Sequence, residues 1–343
     1  MAIEPPAVRV PTHIMSSSLT GEPRPLPNAM DDPEELRTFA NVRLIAFDLD
    51  GTLIGHQSPI LGARLADLFS TVSRSQVAVT LATGRTLTGV RAILGQMAEL
   101  NRVPLVLYNG SVVMRPDHQA LIAHSAISRA SVEQTLSIGA SCADGALFVY
   151  TIDTDASLIG GAAQTEAVHF SGKDQAPATD FNGMAVLPLS QLNLDTAKVV
   201  AILFEVTDPA LRESALGFLM QIPGISATSS GGRYIEIRPS GSSKAVGLRY
   251  LTDHMGIQAH QVLAMGDNDN DVELLRWAGI SVCVDRASPA AQRASKFISS
   301  HGAGEAAIDV LEIVRRARRL FRGDRRNAEN ATSIVRGNFE PQD

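Results

Sequence analysis

Leu44-Ile45-Ala46-Phe47 is an unbroken apolar run that stops abruptly at Asp48-Leu49-Asp50-Gly51, and no other stretch restricts the fold of this chain so tightly. Four consecutive apolar residues bounded by a turn signal suit a strand buried on both faces, as in a parallel sheet covered by helices. Gly51 permits backbone angles that other residues avoid, so the chain can turn sharply straight after the acids. Two carboxylates then stand at the carboxyl end of a strand, the edge of an open α/β sheet where ligands bind. Taken alone, the stretch reads equally as a strand followed by an Asp-Gly turn.

Further along, the same arrangement recurs with different chemistry at each strand end. Gln76–Ala82 is a second buried-strand run that ends at Thr83-Gly84-Arg85, so a hydroxyl, an open backbone and a cation meet there as in a phosphate cradle. The plainer reading has Thr and Gly merely capping a helix over 87–94. Val103–Tyr108 runs into Asn109-Gly110-Ser111, with a short strand at Val112–Met114. Asn109 either touches a substrate or serves only an Asn-Gly hairpin turn.

Ser242-Ser243-Lys244-Ala245 opens a helix and puts a cation in the first turn, where the helix dipole is already positive. That placement suits an anion site, the alternative being a solvated surface lysine. Val262–Met265 then ends in Gly266-Asp267-Asn268-Asp269-Asn270-Asp271, an oxygen-rich run that fits a hard cation such as Mg2+. It leads into an apolar helix over 272–277 and lacks the later glycine and glutamate of an EF-hand loop. A strand over 280–284 and a helix over 306–319 follow.

In this order the residues resemble the haloacid dehalogenase superfamily of phosphotransferases, and within it the Cof-type phosphatases (cap class IIB). Asp48-Leu49-Asp50-Gly51-Thr52-Leu53 matches the first motif, Thr83-Gly84-Arg85 the second, Lys244 the third and Gly266–Asp271 the fourth. Two departures stand out: Asp285-Arg286-Ala287 replaces the family's frequent Gly-Asn-Ala, and Gly241-Ser242-Ser243-Lys244-Ala245 replaces Gly-Val-x-Lys-Gly.

The resemblance implies an α/β fold, a Rossmann-like parallel sheet core flanked by helices, with an inserted α+β cap domain. The expected division is a flexible extension over 1–40, core over 41–114 and 239–321, cap over 115–238, and a flexible basic tail over 322–343. The implied activity is Mg2+-dependent hydrolysis of small phosphomonoesters, sugar phosphates foremost. Asp48 would be the nucleophile and Asp50 the acid and base. Thr83, Gly84, Arg85, Asn109, Lys244 and Asn270 would bind phosphate; Asp48, Asp50, Asp267 and Asp271 would hold the metal. A phosphomutase, or a non-catalytic binding protein on the same fold, is the alternative.

The remaining features exclude other classes. A net charge of −6 gives no general attraction to nucleic acid, so the expected partner is a small phosphorylated metabolite. No apolar run approaches the roughly 18 residues that span a bilayer, and no phosphate loop of the G-x-x-x-x-G-K type occurs. Cys142 and Cys283, far apart, suit a reducing compartment, and a cytoplasmic location is expected. Arg315, Arg316, Arg318, Arg319, Arg322, Arg325 and Arg326 form a basic run, read as a solvated helix end and tail. No heptad or other signature discloses an oligomeric state.

Overall fold

The structure is a computed structural model that describes residues 22–27, 33–55, 63–96, 102–116, 121–142, 145–153, 165–172, 174–230 and 232–321, with Leu100 and His118. The first core segment holds β1 (Arg24–Pro25), α1 (Pro33–Ala40), β2 (Leu44–Phe47), α2 (Ala63–Arg74), β3 (Ala78–Ala82), α3 (Leu87–Leu94), β4 (Leu105–Leu107), β5 (Val112–Met114) and β6 (Leu121–His124). An inserted unit follows with α4 (Arg129–Ser141), β7 (Leu147–Asp153), β8 (Thr165–Ser171), β9 (Val186–Pro188), β10 (Lys198–Glu205), α5 (Pro209–Leu219), β11 (Ile225–Ser230) and β12 (Tyr234–Pro239). The second core segment holds α6 (Lys244–Met255), β13 (Val262–Gly266), α7 (Val272–Trp277), β14 (Ile280–Cys283), α8 (Pro289–Ala294), β15 (Phe297–Ile298) and α9 (Glu305–Leu320).

Nine strands form the core sheet in the order β1-β15-β14-β13-β2-β3-β4-β5-β6. The pairings from β1 through to β4 are parallel, and β5 and β6 continue as an antiparallel hairpin edge. β2 lies at the centre and is buried along its whole length. Its side chains alternate between two helical layers, as strand geometry requires. Ile45 and Phe47 join the core made with α2 and α9, and Leu44 and Ala46 join the one made with α6 and α7.

Register carries the chemistry to one edge. Phe47 pairs with both Met265 and Leu81, so Asp48, Gly266 and Ala82 all fall one residue further along, at the carboxyl ends of β2, β13 and β3.

The inserted unit is a second sheet in the order β11-β12-β10-β7-β8-β9. Along β10, Ile202 and Phe204 pack with Val132 of α4 and Leu219 of α5, whereas Ala201 and Leu203 turn towards the core.

Several expectations need correction. The first forty residues are not all a flexible extension. Arg24–Pro25 adds a parallel edge strand to β15, and α1 buries Leu36 and Phe39. Proline density masked an amphipathic Glu34-Glu35-Leu36-Arg37-Thr38-Phe39. The core sheet also extends past the expected boundary at 114, because Leu121–His124 pairs with β5.

Thr165–Ser171 forms strand β8, with Val168 and Phe170 buried. β12 alternates half-buried and buried residues and lies inside its sheet, since β11 and β10 pair with its two sides. Arg318 is not solvated: it is buried, and its guanidinium donates to the carbonyls of Val42 and Ser75. The tail at 322–343 lies outside the described residues.

Candidate active site

The turn after β2 is built around Gly51, whose φ of +87° lies in the left-handed region. A Cβ placed there would fall 2.4 Å from Asp267 Oδ2, so the glycine also makes room for the facing carboxylate. Asp267 is held in turn by Thr52, whose hydroxyl donates to Asp267 Oδ1 at 2.9 Å. Asp48 lies beneath, buried, and its amide donates to the Met265 carbonyl.

α6 delivers Lys244 to this floor from the other core segment. Ser243 caps the helix by accepting from the Val246 amide, which places Lys244 at the first helical position. The side chain is 1% exposed. Its Nζ donates to Asp48 Oδ1 at 2.6 Å and to Asp271 Oδ1 at 2.8 Å. The second Asp271 oxygen accepts from the Asp267 and Asn268 amides, so this fully buried carboxylate folds the acidic loop as well as pairing the lysine. Lys244 is no solvated surface cation.

The electrostatics follow from that burial. Loss of water, and then the neighbouring Asp271, push the Asp48 carboxyl well above its ordinary value, while Lys244 pulls it back. Burial also raises Asp267, which the hydrogen bond from Thr52 offsets in part. For Lys244 burial works against the ammonium, but Asp271 and Asp48 outweigh it and hold the group charged.

Asp48, Asp267 and Asp271 bring one oxygen each within 4.8 Å of the others. Three carboxylates thus converge on one ammonium. This all-oxygen donor set, with excess negative charge in a partly desolvated place, fits a hard divalent cation.

The turn after β3 contributes the opposite wall. Arg85 donates from Nε to Asp50 Oδ2 at 2.7 Å and from Nη2 to Asp50 Oδ1 at 2.6 Å, a bidentate pair. Its amide donates to the Thr83 hydroxyl, and Thr83 itself is buried. Gly84 lets the Asn109 side chain approach, since a Cβ there would lie 3.1 Å from Asn109 Nδ2.

Asn109 sits at the tip of the β4–β5 hairpin with φ of +51°. It makes the hairpin turn, and its side chain lines the cavity. Its Oδ1 accepts from Asn270 at 3.2 Å and its Nδ2 donates to Glu236 Oε1 at 2.6 Å.

The inserted unit closes over these groups and leaves a cavity of about 440 Å3. Of the expected residues, Asp48, Asp50, Thr83, Gly84, Arg85, Asn109 and Asn270 line it. Lys244, Asp267 and Asp271 lie beside Asp48 without lining it themselves. The far wall comes from Tyr150, Phe181, Leu203, Tyr234 and Glu236.

Glu166 of β8 fastens the unit to the core by accepting from the Leu87 and Thr88 amides, the Thr88 hydroxyl and the Tyr108 hydroxyl. It thereby satisfies free amides at the start of α3, where negative charge is also favoured. Sequence reasoning missed Thr52, Tyr108, Glu166 and Glu236. The polar face of the alternating run Tyr234-Ile235-Glu236-Ile237 was the one available signal, and it marked a face rather than a site.

Residues 45–311 match the family of haloacid dehalogenase-like hydrolases, a span that takes in both core segments and the inserted unit. The chain belongs to that family. Among its relatives is a 5-amino-6-(5-phospho-D-ribitylamino)uracil phosphatase of Bacillus subtilis, YwtE, 25% identical over 75% of this chain and 93% of the relative. A second Bacillus subtilis phosphatase of the same name, YitU, is 27% identical over 70% and 86%. A HAD/COF-like hydrolase from Plasmodium vivax has the same fold, with a TM-score of 0.66 at 19% identity over 82% of this chain and 99% of that one. As a haloacid dehalogenase-like hydrolase with phosphatases for relatives, the chain is an enzyme of the phosphatase type. Among the described residues no helix is long and apolar enough to cross a membrane.

Proposed function

We propose that this hydrolase releases phosphate from small phosphomonoesters, sugar phosphates foremost, through an aspartyl-phosphate on Asp48, with Mg2+ as cofactor and the inserted unit acting as a cap. The observation that carries the reading is the constellation of buried Asp48, Lys244 and Asp271 with half-buried Asp267 at the foot of the cavity.

Asp48 attacks phosphorus and holds the phosphoryl group. Asp50 gives a proton to the departing oxygen and afterwards takes one from the attacking water. Both Asp50 oxygens accept from Arg85, so each proton transfer requires the guanidinium to release one of them. Lys244 and the Thr83 hydroxyl stabilise the phosphoryl oxygens, and Gly84 and Asn109 shape the cradle around them. Asp48, Asp267 and Asp271, with the Asp50 carbonyl, would hold Mg2+, which supplies charge neutralisation between the nucleophile and the phosphoryl group. The uracil-ribityl phosphatases YwtE and YitU support a substrate with a phosphorylated polyol chain.

Phosphate release from a panel of phosphomonoesters, with and without Mg2+, tests the reading on the wild type and Asp48→Asn in parallel. Mg2+-dependent release that vanishes in Asp48→Asn is the expected result. Release that survives the substitution would remove Asp48 as nucleophile, and no release from any ester would remove the phosphatase.

A further inference from the structure

The cavity has a charge asymmetry that bears on which esters it admits. Among the described residues that line it, Arg85 carries the one cationic side chain, and its Nε and Nη2 are both committed to Asp50. Lys244 is sealed below, between Asp48 and Asp271. The cap contributes a carboxylate instead. Glu236 stands on the cavity wall with Oε1 accepting from Asn109 Nδ2 at 2.6 Å, and Asn109 is braced from behind by Asn270. No hydrogen bond from the described residues engages Glu236 Oε2. Around it the wall is flat and aromatic: Tyr150, Tyr234 and Phe181 line the cavity, the ring centroids of Phe181 and Tyr234 are 6.5 Å apart, and Phe181 is 71% exposed.

We infer that Glu236 is a specificity-determining residue that selects uncharged leaving groups bearing hydroxyl or amine donors and excludes leaving groups with a second anionic group. The inference rests on the phosphatase reading. A hydroxyl or amine of the leaving group donates to Glu236 Oε2, and its apolar face lies against the aromatic wall. A carboxylate or second phosphate in the same place meets Glu236, and the one cationic side chain that lines the cavity, Arg85, is already paired with Asp50. Two like charges about 6 Å apart at an effective dielectric constant of about 20 correspond to roughly a hundredfold in kcat/KM.

The test uses esters matched in size and differing in the far group: sorbitol 6-phosphate against 6-phosphogluconate, and glycerol 3-phosphate against 3-phosphoglycerate. For each pair the ratio of kcat/KM, neutral over anionic, is measured with wild type, Glu236→Gln and Glu236→Lys. Glu236→Gln keeps an acceptor for Asn109, removes the charge and puts an amide donor in place of Oε2.

The wild-type ratio should be about a hundred, fall at least tenfold in Glu236→Gln and invert in Glu236→Lys. Turnover with a wild-type ratio near one, or with a ratio that neither substitution changes, overturns the inference and leaves the phosphatase standing. No turnover of any ester by the wild type overturns the phosphatase reading and this inference with it.

Discussion

Replacing Lys244 by Met leaves the stem in place and removes the only ammonium between two buried carboxylates. Lys244 Nζ lies 2.6 Å from Asp48 Oδ1 and 2.8 Å from Asp271 Oδ1, and these three side chains are almost wholly buried. Removing one partner of such a pair typically costs about 3–5 kcal/mol, because the other charge stays buried without compensation. A domain is stable by only about 5–15 kcal/mol, so the effect is large.

The pH dependence has a definite sign. Asp48 is held above its ordinary 3.8 in the folded chain, so the folded state retains protons that the unfolded state has released. Stability is therefore fullest below the unfolded value and declines as pH rises through the folded one. Without Lys244 the Asp48 value rises further, and the decline extends to higher pH. Urea unfolding in metal-free buffer should show the Lys244→Met loss greater at pH 8 than at pH 5, and added Mg2+ should recover part of it. A loss under about 1 kcal/mol, the range of an ordinary surface substitution, would refute the reasoning. So would a loss of equal size at both pH values.

Two further outcomes follow from the same structure. Glu166→Gln keeps the shape of the side chain but replaces one accepting oxygen with a donor, facing groups that already donate. Amide exchange at Leu87 and Thr88 should accelerate about tenfold, equivalent to about 1.4 kcal/mol, and unchanged protection would show that the carboxylate does not fasten the inserted unit. Arg286→Asn should raise the unfolding free energy by about 0.5–1 kcal/mol, and the urea midpoint with it, because Arg286 sits at φ +61° with its side chain 93% exposed, and Asn tolerates that backbone better. A lowered midpoint would mean that Arg286 makes contacts worth more than its strain.

The parts of the site that the sequence discloses are those where chemistry and chain direction coincide. Asp48, Thr83, Lys244 and Asp267 each follow an apolar strand run or open a helix, so a local pattern gives both the element and the end on which the residue stands. The alternating burial of β2 between two helical layers is likewise implied by four apolar residues in a row.

Glu166 and Glu236 are different. Each lies on a strand of the inserted sheet, and each reaches a partner 58 or more residues away, at Tyr108 and Asn109. Nothing near them in sequence distinguishes them from solvent-facing acids. Arg318 misled for the opposite reason. Its neighbours Arg315, Arg316 and Arg319 form a charge run, and only the packing of α9 against α1 and α2 turns one of the four inward. The cavity wall that the inserted sheet contributes stayed hidden in long-range pairing.

The interleaving of the two core segments sets an order on synthesis. β2 needs β13 as a neighbour, and more than two hundred residues separate their starts at Leu44 and Val262. Asp48 is made early, yet Lys244 and Asp271, which settle its charge, emerge only after the whole inserted unit. Later still comes Arg318, whose guanidinium ties the carbonyls at the start of β2 and the end of α2. A nascent chain on the ribosome therefore carries Asp48 as a water-exposed acid at an unfinished sheet edge. Desolvation of that acid is among the last events of folding, so a chain truncated before α9 lacks the clasp on the strand that bears it.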